Sequence, residues 1–521
     1  MSGGPVAPAS PEREALSFER REGWGMSVES IARVFHPVNE RDVADALAYA
    51  RTKGWKVICW GNGRSYGDAA LNDGNLIIDL SRMDRIIEWD RGTGRVVVEP
   101  GVTLEKLWKS CLPDGWWPPV VSGTMFTTLG GLLSANAHGK NNWKHGTIGD
   151  HVESFDLALV DGTSVTVTPE SDPDLFCAVI GGFGLLGVVT KIVLRMKKVH
   201  SGRIAVEPFC CEDLDEMFRG FERCAQEEYD YVVGWMDAFG TGAGLGRGQI
   251  HAARYVAAGD DPEGQAMYHL SEQELPERVL GVFPKAWIGT LARPFAFRLG
   301  MRLINSARFT WMNRPSHQHA KFLEPHAQFN FLLDFVPNWK NFYKPGGLIQ
   351  YQLFLPKDRA RDVMRRVLEL GQQARLEPWL VVMKRHRPDK FWLTHAVDGY
   401  SFALDFPVTD ARREDLWRLT RLMNEMVVEC GGRFYFAKDQ VVPPDAVKRS
   451  FGPETLAKFF ALKHKVDPDE VLQGNLWRRV FKPIKTQMQL LPEPELVVAV
   501  AASPTPVRME MNNAPSSDDV G

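Results

Sequence analysis

Seven cysteines among 521 residues, an odd number with no CxxC spacing, offer neither a disulfide framework nor a zinc site, and they suit a reducing compartment. No window holds 18 uncharged apolar residues, so no spanning helix is expected and any membrane contact should be peripheral. The opening MSGGPVAPASPERE lacks the basic and then apolar pattern of a secretory signal, and residues 1–20 are expected to form a disordered arm. A net charge of −3 gives no global attraction to nucleic acid. No Gly-Lys-Ser/Thr follows a glycine loop, which excludes a Walker A site. No repeat at solenoid period is present. What remains is a chain of ordinary hydrophobic (44%) and charged (24%) content with 16 Trp and 29 Phe, which supply aromatic surface for cores and pockets. Its length suits about two to four folded units.

The N-terminal half is organised around glycine. The apolar run KVICW reads as a buried strand and leads directly into GNGRSYGD, residues 61–68. Glycine allows positive φ and lets backbone N–H groups approach a ligand, so such a loop can wrap a pyrophosphate; as a Rossmann fingerprint it fails, because the third glycine is misplaced and Gly74 interrupts any following helix. A second small-residue loop runs from Ser122-Gly123-Thr124 through Gly130-Gly131 to His138-Gly139, and a third is Gly181-Gly182-Phe183-Gly184. Three such loops joined by β-structure suit one large phosphate-bearing cofactor. Between them, Val43, Ala46, Leu47 and Ala50 give a helix its core face, and Asp161-Gly162 marks a hairpin turn.

From about residue 201 the pattern changes to strand–helix units, one with a strand near 203–208 and the helix CCEDLDEMFRGFERCAQE and another over GGLIQYQLFLP and DRARDVMRRVLELGQQA, which suggests an open antiparallel sheet backed by helices. On a strand, Gln350 and Gln352 face one side and Tyr351 the other; two buried amides on one face suit a pocket for hydroxyl groups. Lys384, ending the apolar run VVMK, can bind an anionic phosphate or snorkel. The segment from Arg278 to Leu323 carries Arg278, Lys285, Arg293, Arg298, Arg302, Arg308, Arg314 and Lys321 without one Asp or Glu, interleaved with Phe283, Trp287, Phe295, Phe297, Leu299, Met301 and Trp311. That pattern suits an interfacial helix or loop among anionic head groups. No RNP, helix-turn-helix or zinc motif accompanies it, so nucleic acid is not an expected partner.

The loops and the motifs GRSYGD, HGKN, QYQ and YFAKD together resemble the vanillyl-alcohol-oxidase type of FAD-binding flavoprotein, and within it the decaprenylphosphoryl-ribose 2-oxidase family, over roughly residues 25 to 480. The resemblance implies an α+β flavoprotein of two domains: an FAD-binding domain over 21–200, a substrate or cap domain over 201–435 with a basic-apolar insertion at 278–323, a segment 436–482 returning to the FAD domain, and a disordered tail over 485–521. It implies FAD contacts from Gly61, Asn62, Gly63, Arg64, Ser65, Tyr66, Gly67, Ala70, Gly123, Thr124, Thr128, Gly130, Gly131, His138, Gly139, Val189 and Tyr435. Arg64 stands where many relatives link the flavin to histidine, so FAD is expected to be non-covalent.

Implied substrate contacts are Gln350, Gln352 and Lys384, and the candidates for moving a proton are Lys438, Tyr66 and His138, among which the sequence does not decide. No metal is expected. The implied reaction is oxidation of a secondary alcohol on a lipid-phosphate-linked pentose, the oxidative half of an epimerisation completed by an NAD(P)H-dependent reductase. The protein is expected in the cytoplasm or on the inner face of the cell membrane. Alternative readings are a soluble alditol or aldonolactone oxidase and a non-catalytic flavin sensor. The family's cysteine and asparagine are replaced here by Ala403 and Ser401, which bears on the sugar or lipid and not on hydride transfer.

Overall fold

The run Val57–Trp60, rich in β-branched and aromatic side chains, forms a strand and pairs in parallel with Leu76–Asp79. Glu29–Phe35 pairs in parallel with the other edge of Leu76–Asp79. Parallel neighbours need a crossover, and helix Glu40–Thr52 supplies it. Its N-cap Asn39 accepts the Asp42 N–H at 3.0 Å, and Val43, Ala46, Leu47 and Ala50 are buried as the periodicity predicts. The computed structural model describes residues 16–279, 283–285 and 293–490. Phe18–Glu22 completes the first sheet by antiparallel pairing with Glu29–Phe35, so the expected arm is already a strand from Phe18.

A second sheet of five antiparallel strands has the order Ile86–Asp90, Arg95–Val98, Val188–Arg195, Val152–Ala158, Ser164–Val167. The last two form the expected hairpin, with Gly162 at φ +90° in the turn. The second domain is an eight-stranded antiparallel sheet in the order Phe322–Pro325, Arg203–Cys211, Gly248–Tyr255, Tyr231–Met236, Leu380–His386, Gly399–Pro407, Leu348–Pro356, Arg433–Phe434. Helices Leu214–Gln226, Ala360–Gln373 and Arg413–Glu429 cover one face of this sheet with amphipathic stripes. The expected two-part α+β architecture is observed.

The chain then returns to the first sheet. Val57 N–H donates to Val471 O at 2.7 Å, and Gln473 N–H donates to Val57 O at 2.8 Å. Helix Lys482–Leu490 occupies the first residues of the expected tail; the rest of that tail and residues 1–15 lie outside the described residues. In the basic segment, Arg298–Met312 is a helix, and Trp287 lies outside the described residues. Among the described residues no helix is long and apolar enough to cross a membrane.

Candidate active site

A cavity of about 590 Å³ lies between the glycine loops and the uncovered face of the eight-stranded sheet. Its first wall is the loop after Val57–Trp60. Gly63 has φ +60°, and a Cβ on Gly61 would lie 2.3 Å from Thr128 Oγ1, so the first two glycine loops touch only because that side chain is missing. Among the described residues, the backbone N–H groups of Asn62, Gly63, Arg64 and Ser65 donate no hydrogen bond to another backbone group, whereas that of Tyr66 donates to Ala437 O at 2.9 Å. Four successive free donors beside a cavity are the cradle that an anionic cofactor needs. The Arg64 guanidinium is 4.1 Å from the Trp24 ring centroid and 5.2 Å from that of Phe126, and its buried Nε has no partner among the described residues. Burial lowers its pKa, opposed by Asp334. These features fit FAD, and no histidine stands in this loop to bond it covalently.

The second wall follows from strand alternation. Gln352 pairs with Ala403, which pairs with Val382, which reaches Trp235 and then Gln249 on successive strands. All five side chains line the cavity. Tyr351 points to the helical layer, where its hydroxyl donates to Asn424 Oδ1 at 2.9 Å. Gln350 Nε2 donates to Asp405 Oδ1 at 2.6 Å. Gln352 Nε2 lies 3.1 Å from His138 Nε2 and 3.5 Å from Ser401 Oγ. An amide nitrogen only donates, so His138 Nε2 accepts; its Nδ1 then carries the proton and donates to His395 Nε2 at 3.0 Å. Burial, followed by the nearby charge of Lys384, holds the His138 pKa well below its usual value. His138 is therefore a neutral ring bonded at both nitrogens, which positions Gln352 and is poorly placed to take a further proton.

Lys438 is placed differently. After Arg433–Phe434 the chain turns, with Lys438 N–H donating to Tyr435 O at 2.9 Å, so Tyr435 and Lys438 both reach the cavity although three residues apart. The Lys438 ammonium lies 3.8 Å from the Tyr66 ring centroid. Burial pushes its pKa down to about 7, against the opposing pull of Asp405, while Lys384 lowers it further. Asp405 is fully buried and is raised to about 7 by desolvation, opposed by Gln350 and Lys438. Lys438 is half-buried and lines the cavity.

Most of the residues expected at the site line this cavity: Gly61, Asn62, Gly63, Arg64, Ser65, Gly67, Ala70, Gly123, Thr128, Gly130, Gly131, His138, Val189, Gln350, Gln352, Lys384, Tyr435 and Lys438. Tyr66, Thr124 and Gly139 do not. Tyr66 lies beneath Lys438, and its hydroxyl is buried near Gln350 without a hydrogen bond of good geometry. Thr124 Oγ1 donates to Asp334 Oδ1 at 2.7 Å, which ties the second loop to the covering segment. A Cβ on Gly139 would lie 2.5 Å from Asn141 Oδ1, so that glycine serves local packing. Sequence reasoning missed Asp405, His395, Lys140, Trp235, His251 and Arg308. Lys140 was within reach in HGKN, and Asp405 through alternation from Ala403; Arg308 stood out only as part of the basic segment, and nothing in their own neighbourhoods marks His395, Trp235 and His251.

Residues 31–168 match the family described as FAD binding domain. The chain is 29% identical over 465 residues to the decaprenylphosphoryl-beta-D-ribose oxidase of Mycolicibacterium smegmatis, covering 89% of this chain and 97% of that protein. It is 29% identical over 161 residues to the L-gulonolactone oxidase of Mus musculus, covering 31% of this chain and 36% of that protein. It is 25% identical over 173 residues to a putative D-arabinono-1,4-lactone oxidase of Neurospora crassa, covering 33% of this chain and 31% of that protein.

Proposed function

We propose that this chain, an FAD-dependent oxidoreductase of the vanillyl-alcohol-oxidase type acting on CH–OH groups, oxidises a secondary hydroxyl of a pentose joined through phosphate to a lipid, giving a keto sugar. The observation that carries the reading is the meeting in one cavity of the glycine loops with Gln350, Gln352 and Lys438. Similarity along 97% of a decaprenylphosphoryl-ribose oxidase supports it, whereas the likeness to lactone oxidases spans about a third of those chains.

Gly61 to Ser65, Arg64 and the loop at Thr128–Gly131 would hold FAD, which when bound supplies the two-electron acceptor for the carbinol hydride. The chain's own part is position and proton. With their amide nitrogens engaged by Asp405, His138 and Ser401, Gln350 and Gln352 keep carbonyl oxygens to accept from sugar hydroxyls. A lysine held near pKa 7 is partly neutral at neutral pH, so Lys438 Nζ accepts the hydroxyl proton as the hydride leaves. Ala403 leaves an apolar wall beside Gln352, and Ser401 spends its hydroxyl on His386 Nε2 at 2.8 Å.

The keto product requires an NAD(P)H-dependent reductase for net epimerisation, and a lipid-linked substrate requires access to an anionic membrane surface. We assign both as partners. The test is anaerobic reduction of the purified flavoprotein by lipid-linked pentoses and by free alditols and lactones. Bleaching by the first group alone is expected; bleaching by the free sugars alone overturns the reading.

A further inference from the structure

Three cations stand in the cavity with no role in the steps above. Arg308 comes from helix Arg298–Met312, and its guanidinium lies 4.2 Å from the ring centroid of Trp235. Lys384 pairs across strands with Val233, which pairs in turn with His251. Lys140 donates to Phe329 O, and its ammonium lies 4.4 Å from that ring's centroid. Arg308, Lys384, Lys140, Trp235 and His251 all line the same cavity. Lys140 and Arg308 both act on His251, whose pKa is lowered first by burial and then by these two charges, so both lie within electrostatic reach of that ring.

The charge is not balanced from within. Among the described residues, burial alone moves Arg308 and Lys384, and no carboxylate opposes it. Glu324 faces Lys140, but its own carboxyl is pushed toward the neutral form by burial. Lys140 is buried and Lys384 half-buried, so their charges are costly to leave unpaired, whereas Arg308 lines the cavity with its side chain still in contact with solvent; an arriving anion removes part of that cost.

We infer that Arg308, Lys384 and Lys140 form a subsite for the phosphate ester of the substrate, with the lipid chain leaving past Trp235 along the helix that carries Arg308. The inference rests on the proposed function and locates the substrate's charged group. Adjacent strands are spaced by about 4.8 Å and residues along a strand by about 3.3 Å, so Lys384, two strands across and two residues along from Gln352, stands roughly 12 Å away at the backbone, a gap that a pentose and its phosphate can span with the two long side chains. Arg308, over Trp235, stands three strands from Gln352 toward the Phe322–Pro325 edge of the sheet, and the same cavity is lined by the apolar residues Val233, Leu332 and Phe335. On the helix, Ile304 and Trp311 lie four residues before and three after Arg308, and both are exposed together with Leu299 and Leu303. The helix thus joins a cation lining the cavity to an apolar surface outside it.

The probes are farnesyl phosphate, farnesol and inorganic phosphate, titrated calorimetrically into the FAD-loaded enzyme and into its Arg308→Gln, Lys384→Gln and Arg308→Lys variants, with flavin content and melting temperature recorded for each. Farnesyl phosphate is expected to bind wild type and to lose about tenfold or more in affinity in each Gln variant, with Arg308→Lys recovering part of the loss. Farnesol, lacking the anion, should bind the variants as it binds wild type. Inorganic phosphate should compete with farnesyl phosphate but bind more weakly; equal affinity would show a free-phosphate site and overturn the lipid part. Unchanged farnesyl phosphate affinity in both Gln variants, or an equal loss for farnesol, overturns the subsite. Flavin reduction by lipid-linked pentoses, run on the same wild-type preparation, separates the two ideas: reduction with an Arg308-independent affinity rejects the subsite alone, and Arg308-dependent binding without reduction by any lipid-linked pentose rejects the substrate reading alone.

Discussion

Lys438 and Asp405 influence each other's protons across one wall of the cavity. The carboxylate favours the charged lysine, and burial opposes the charge on both. Removing the amine by Lys438→Ala should leave flavin bound and slow the reductive half-reaction by about 10²-fold, the scale of losing a positioned proton acceptor. Stopped-flow reduction checks it, and unchanged rates would remove Lys438 from the chemistry. Asp405→Asn keeps an acceptor for Gln350 but removes the charge that raises Lys438. The lysine pKa should therefore fall, and the rising limb of the pH–rate profile should move to lower pH; a shift to higher pH would reverse the assigned coupling. In stability the signs are opposite. A lysine depressed on folding makes stability rise with pH between about 7 and its unfolded value, and a carboxyl raised on folding makes it fall between the unfolded value and about 7. Of this pair, YFAKD marked Lys438, whereas Asp405 is one acid in an apolar strand whose hydrogen-bond partner, Gln350, is 55 residues away in sequence.

At the scale of elements, the first glycine loop and the helix Arg298–Met312 make separate predictions. The first glycine loop holds Arg64 and no histidine that could form a flavin link, so acid precipitation should leave the yellow colour in the supernatant; colour in the pellet would show a covalent bond. The helix presents Leu299, Leu303, Ile304 and Trp311 to solvent together with Arg302, a combination suited to an anionic bilayer surface. Not all eight basic residues of that segment are available to it. Arg298 pairs with Glu377, Lys321 lies 3.6 Å from Glu207, and the Arg308 guanidinium packs over Trp235 at the cavity. Flotation with phosphatidylglycerol vesicles should accordingly fall on Arg293→Gln with Arg302→Gln. It should also weaken with salt as the Debye length drops from ~10 Å at 0.1 M to ~3 Å at 1 M. Flotation that is indifferent to both changes would place membrane contact elsewhere. Periodicity revealed the helix Glu40–Thr52, the hairpin at Gly162 and the two faces of Leu348–Pro356, because each is set by neighbours within a few residues. It could not reveal the order of the eight strands or the packing of Arg308 over Trp235, which depend on pairings between distant segments.

At the scale of the whole molecule, one side chain joins the two motifs. Arg479, from the returning C-terminal segment, donates Nε to Asp68 Oδ2 at 2.7 Å and Nη2 to Asp68 Oδ1 at 2.9 Å. The same Nη2 donates to Asp439 Oδ2 at 2.8 Å, and Nη1 donates to Val442 O at 2.9 Å. Asp68 closes GRSYGD and Asp439 closes YFAKD, so a guanidinium more than 400 residues from the first loop fixes that loop to the turn carrying Lys438. Gly67 permits the contact: a Cβ there would lie 1.8 Å from Asp439 O. The two motif aspartates were legible in the sequence, but their common partner was not, since nothing local to Arg479 points to either. Arg479→Leu would leave two nearly buried carboxylates without their cation, a change that typically costs about 3–5 kcal/mol. The expected outcome is a lower melting temperature together with weaker FAD binding, because the free amides of Asn62 to Ser65 lie on the loop being released. Arg479→Lys restores a charge but not the fork that serves both carboxylates, so it should recover only part of each loss. Thermal melts with and without added FAD check both variants. A variant that melts lower yet binds FAD as tightly as wild type would confine the clamp to stability, and one unchanged in both would show that the two motifs hold together without it.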